Sequence, residues 1–136
     1  MDSFPLWCGR LVVTVFFAIA FLQSAADKWL DSQGNLAFLR GHFACSPLRC
    51  LVAPLFWVIA GLESVAGVLC AVGTVQLLVS GETGIALWGL LFSTFSLLCL
   101  FFGQRLAKDY GGAVVIASYV AVALLGLLLM GLQAGA

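Results

Sequence analysis

The sequence predicts an all-α integral membrane protein, a single-domain four-helix bundle with a surface segment between helices 1 and 2. Three observations lead there. The 136-residue chain is 63% hydrophobic and only 9% charged, far more apolar than a soluble domain of ordinary composition. Its apolar residues gather into four stretches, each long enough to cross a hydrocarbon core of about 30 Å, which takes roughly 20 helical residues. One of them, Pro54 to Ser80, carries an acid, Glu63, at its centre. An acidic side chain at that depth costs on the order of 2.5–3.5 kcal/mol, so it is expected to face a bundle interior, a partner or a polar cavity.

Charge and motif content exclude several function classes. Six basic and six acidic residues balance to a formal net charge of zero, so no global field points to nucleic acid. No nucleophile elbow, glycine-rich phosphate loop or Ser/His/Asp set is present. His42 is the only histidine, which leaves no material for a haem or histidine-rich metal site, so no metal and no intrinsic cofactor is expected.

The first span is expected from about Leu6 to Ala26, around the apolar core LVVTVFFAIAFL, with Arg10 near its start. The basic start, the apolar run and Ser24, Ala25 and Ala26 also resemble a secretory signal with its cleavage site. The expectation carried forward is a retained first helix. From Asp27 to Arg49 runs the only long polar connection, in which Ser32, Gln33, Gly34 and Asn35 read as a turn. After it, Leu36, Phe38, Leu39 and Phe43 mix with Arg40 and His42 as in a short helix at the membrane surface, a lid or interfacial element; a plain linker is the alternative.

The second span covers 54–80, the third about 83–103 and the fourth about 112–132, with Gly81 and Gly84, then Gly111 and Gly112, as punctuation. Trp7 and Trp88 fall at one predicted interface and Trp29, Trp57 and Tyr110 at the other, as interfacial belts require. Along the second span, Ala60, Ser64, Gly67 and Ala71 recur at spacings of three and four, a stripe that allows a neighbouring helix close approach.

The connectivity gathers polar residues on one membrane face. The end of the first helix (Asp27, Lys28), the start of the second and the end of the third (Gln104, Arg105, Lys108, Asp109) meet there, with Glu63 roughly 14 Å in from Pro54. A long Lys or Arg side chain pointing inward would reach it directly or through water, and pairing would lower the cost of its charge. Counting Lys28, Arg40, Arg49, Arg105 and Lys108 on this face against Arg10 on the other places both termini outside the cytoplasm. Lys28 and Arg105 weaken that count if they work inside the bundle, so orientation stays open.

Of five cysteines, Cys8, Cys70 and Cys99 fall in predicted spans and read as small apolar residues. Cys45 and Cys50 flank a short loop segment and would bridge if that loop is exoplasmic; if it is cytoplasmic their thiols stay reduced. Their spacing is neither a redox nor a zinc signature.

Three stretches, FLQSAADKW, GLESVAGVLCAVG and GQRLAKDYGGA, occur in an order that resembles the DoxX-like family of small four-helix membrane proteins. Lys28 matches that family's basic position, and Glu63 and Gly67 its acid and glycine; the Cys45/Cys50 pair is an addition. The resemblance implies a four-helix bundle in a prokaryotic cytoplasmic membrane with both termini cytoplasmic. It also implies a membrane subunit associated with quinone-linked redox chemistry, in which Lys28, Glu63 and Arg105 line a pocket for a quinone-like head group and relay protons. No residue except the loop thiols can carry electrons, so any such activity calls for other membrane subunits or a cofactor. The competing expectation is a non-catalytic accessory subunit of a larger respiratory or photosynthetic complex, favoured by small size and by the aromatic third span with Phe92, Phe95, Phe101 and Phe102. A proton-coupled transporter using Glu63 is a third, which the lack of a repeat or broken helix disfavours.

Overall fold

A computed structural model describes residues 3–132. Among these residues all regular structure is helical: α1 Ser3–Leu30, α2 Ser32–His42, α3 Val52–Val79, α4 Gly84–Leu106 and α5 Tyr110–Gly131. Four of the five, all but α2, are long and apolar enough to span a bilayer. The chain is thus an all-α integral membrane bundle, and its many exposed valines, leucines and phenylalanines have lipid as their solvent.

Each long helix turns one face inward. On α1 that face is Val13, Thr14, Phe17, Ala18, Phe21 and Ala25, spaced at the helical period, and on α3 it includes Phe56, Ala60, Glu63, Ala66, Gly67, Cys70, Gly73 and Leu77. Helix α3 packs most heavily, with α1 on one side and α4 on the other; α5 closes the ring against α4 and, more lightly, α1. Between α1 and α5 the contact includes Phe16 and Tyr119, whose rings lie 5.7 Å apart.

Small residues set these distances. A Cβ on Gly67 would meet Leu22 of α1, its backbone nitrogen included, at 3.0 Å, so the predicted stripe is a packing seam against α1. A second seam faces α4 and was not legible as one: a Cβ on Gly73 would lie 2.6 Å from the backbone of Ala86, and one on Gly89 2.8 Å from Cys70 Sγ. Without a hydrophobic drive between helices in lipid, such close backbone approach is the main source of packing energy.

Boundaries differ from expectation for identifiable reasons. Ser32, Gln33, Gly34 and Asn35 form the first turn of α2 rather than a free turn, because the Asp31 side chain caps the helix by accepting from the Gly34 N–H at 3.3 Å. Asp109 caps α5 in the same way, accepting from Gly112 at 2.9 Å, so α5 begins at Tyr110 and both glycines lie inside it. In both caps a Cβ on the glycine would meet the aspartate oxygen at 2.6 Å. Helix α1 runs four residues beyond Ala26, which brings Lys28 and Trp29 onto its last turn, and α4 extends through Arg105. It stops where Lys108 adopts a left-handed φ of 59°.

Tryptophans mark both ends of the bundle. Trp7 donates its indole N–H to the Leu77 carbonyl at 2.9 Å, tying the start of α1 to the end of α3, and Trp29 and Trp57 pack 5.3 Å apart at the opposite end.

Replacing Gly73 with alanine should lower stability by about 1–3 kcal/mol, the usual cost of overpacking, because the Ala86 backbone cannot yield. Gly61→Ala, where a Cβ meets nothing within 4 Å, should be neutral or slightly stabilising. Reversible unfolding in mixed micelles, followed by helical circular dichroism, checks the contrast.

Candidate functional site

The site begins with the buried acid. Glu63 is 0% exposed, and Lys28 reaches it from the last turn of α1. The ammonium Nζ lies 3.0 Å from Oε1 and 3.3 Å from Oε2 and also donates to Ser24 Oγ, one turn back, at 2.9 Å. Hydrogen-bond geometry is met only at Oε2, so Oε1 has the charge beside it but no donor aimed at it. Close by, Trp29 donates to Ser64 Oγ at 2.8 Å, and Ser64 bonds back to the Ala60 carbonyl. Consecutive residues of α1 thus bind consecutive residues of α3, a register lock.

Against this cluster lies a cavity of about 930 Å³ between α3 and α4, roofed by α2. Its wall is mainly apolar, with Phe56, Ile59, Cys99 and Phe101 among the lining residues. Its polar groups are Lys28, Asn35, His42, Gln104, Arg105 and Asp109. Leu55, Val58, Leu98 and Phe102 line it as well and are exposed on the bundle's lipid-facing side, so the cavity opens sideways toward the bilayer.

The three expected site residues divide. Lys28 and Glu63 come together as a pair. Arg105 lines the cavity but does not join them: its guanidinium lies over the Tyr110 ring, 4.7 Å from the centroid, because α4 continues as a helix through this residue and presents it at the outer corner next to α5. Glu63 does not line the cavity; it stands behind Lys28, which is the group of the pair that meets the space. The loop thiols Cys45 and Cys50 are exposed and free, the reduced form of the two that the sequence leaves open.

One polar contact at the cavity escapes sequence reasoning. His42, at the end of α2, places Nε2 3.0 Å from Gln104 Oε1 and 3.4 Å from Asp109 Oδ2, joining the roof to the α4–α5 corner. The signal available in the sequence was that the sole histidine sits among the apolar residues of a polar connection. Among the described residues, no group of three or more His, Cys, Asp or Glu side chains is placed to hold a metal ion.

Chemically, the arrangement offers a hydrocarbon-lined space, a cationic N–H donor at its inner wall backed by a carboxylate, and amide and imidazole groups at its roof. It can hold an amphiphile with its tail toward lipid, donate hydrogen bonds to a carbonyl-bearing head group and supply a proton through Lys28.

Two arginines of similar sequence appearance should behave differently. Arg10 donates from Nε to the Leu129 carbonyl at 2.8 Å and from its terminal nitrogen to Leu132, closing the last turn of α5 onto α1. Its replacement by alanine should cost about 1.5–3 kcal/mol, whereas Arg105→Ala should cost about 1 kcal/mol or less, the value of an exposed cation–π contact. Unfolding midpoints in one detergent mixture decide this. No protein-family model, no curated protein and no solved structure matches the chain.

Proposed function

We propose that the protein is a small membrane subunit of DoxX-like type that binds a quinone-class molecule in the cavity beneath α2 and works with a quinone-linked redox partner. The observation that carries the reading is the form of the cavity: open to lipid along Leu55, Val58, Leu98 and Phe102, and ending on Lys28, the cation paired with buried Glu63. A quinone has an apolar tail that stays in lipid and a ring with two carbonyl acceptors, which suits donors at the inner end. Lys28 hydrogen-bonds a ring oxygen, Glu63 stabilises the ammonium, a proton given up by Lys28 is replaced from water, and Arg105 guards the outer lip. The resemblance of FLQSAADKW, GLESVAGVLCAVG and GQRLAKDYGGA to the DoxX-like pattern supports the same reading by analogy, since fold alone does not assign function. Electrons come from another subunit.

A second reading is favoured by one observation. Trp88, Leu91, Phe95, Leu98 and Phe102 form an exposed row at spacings of three and four along the outer face of α4. Such a row is the surface by which an accessory subunit would pack against a larger respiratory or photosynthetic complex.

Gentle extraction from native membranes, with identification of co-purifying proteins and lipid-soluble molecules, separates the two. Quinone retained by the isolated chain is the expected result, and Lys28→Met should weaken that retention roughly tenfold, the equivalent of one charge-assisted hydrogen bond. Glu63→Gln should leave the bundle folded while changing function. A stoichiometric large complex with no quinone on the chain would replace this reading by the accessory one.

A further inference from the structure

Helix α2 differs from every other element in how it is held. None of its residues is buried. Its start is tied to α1 locally, by the Asp31 cap and by Asn35 Nδ2, which donates to the Asp27 and Asp31 carbonyls at 3.2 and 2.8 Å. Its end leads into a run of successive turns, with Ser46, Arg49 and Leu51 each bonding back three residues. Among the described residues, the one side-chain hydrogen bond that carries α2 across the cavity to the far wall is His42 to Gln104, with Asp109 beside it. The helix rests lightly on α3 and α1, and just past its end Phe43 supports it against α4, where a Cβ on Gly103 would touch the Phe43 ring at 3.6 Å. An element with no buried residue and one polar fastening at its far end sits at the low end of local stability.

We infer that α2 is a hinged roof and that the His42 contact with Gln104 and Asp109 decides whether the inner end of the cavity, with Lys28, is open to the aqueous face. The side opening admits only what travels in lipid; the roof is the route for water and ions. Closed, it keeps the Lys28–Glu63 pair in a dry setting, where its electrostatic interactions are stronger. Open, it connects that pair to bulk water for proton exchange. This holds whatever molecule occupies the cavity, so it goes beyond the quinone reading and does not stand or fall with it.

Cys99 provides the readout. It lines the cavity on α4, roughly 10 Å below the end of that helix. In lipid nanodiscs a charged thiosulfonate reagent cannot approach it through hydrocarbon and must enter past the roof. Exposed Cys45 and Cys50 are replaced by serine, and Cys8, near the start of α1 at the opposite end of the bundle, serves as the internal reference. Labelling rates of Cys99 and Cys8 are read by peptide mass spectrometry in the same sample. In His42→Ala the Cys99 rate should rise roughly tenfold, the population shift expected from losing one such hydrogen bond, with Cys8 unchanged. His42→Gln, whose amide can still reach Gln104, should stay near the starting rate. An unchanged Cys99 rate in His42→Ala would overturn the inference, and so would a parallel rise at Cys8, which would signal general loosening, or an equal rise in His42→Gln.

Discussion

A carboxylate with no exposure, set well inside a membrane-spanning helix, is costly without a partner, and the geometry of this chain delivers a cation to Glu63. Lys28 can do so only if α1 continues past Ala26, if its last turn faces α3, and if the two helices approach closely enough for a side chain to bridge them. Gly67 permits that approach, since any larger residue would meet Leu22. Ser24 holds the ammonium from behind and the Trp29–Ser64 bond fixes the register beside it. A buried ion pair is weak evidence for stability as such, because desolvation offsets much of its attraction; its attested use is to fix register. Here it fixes which faces of α1 and α3 meet, and so where the wall of the cavity stands.

The rest of the bundle divides into rigid and yielding parts. Around α3, close backbone contact through Gly73 and Gly89 holds α4 tightly, and Arg10 fastens the end of α5 to α1 at the opposite membrane face. At the polar face, by contrast, α2 lies across the cavity with no buried residue. Such a combination sets a charged pair in fixed geometry beneath a cover that is lightly held.

Much of this was legible in the sequence because lipid is a simple solvent. A run of apolar residues with an acid inside it specifies a span and an inward face, and the order of the chain puts Lys28 within reach of Glu63. Helix ends were less legible: Gly34, Gly111 and Gly112 read as breakers, yet each sits within the first turn of a helix whose preceding aspartate, Asp31 or Asp109, caps it. The position of Arg105 depended on α4 extending three residues beyond the expected end, which turned it toward Tyr110 and away from Glu63. The His42 contact was hidden because it joins residues 62 positions apart through a corner whose path depends on that same extension. Long-range polar contacts between a loop helix and a helix end leave no periodic trace.

The most direct test of the account is a double-mutant cycle on Lys28→Met and Glu63→Leu, read as unfolding free energies in a bilayer-like medium. Each single change strands a charge in the bundle interior and should cost about 3 kcal/mol, while the double change should cost less than the sum by about 1–3 kcal/mol. Costs that add to within about 0.5 kcal/mol would mean that the two side chains do not depend on one another, and that something other than their pairing positions α1 against α3.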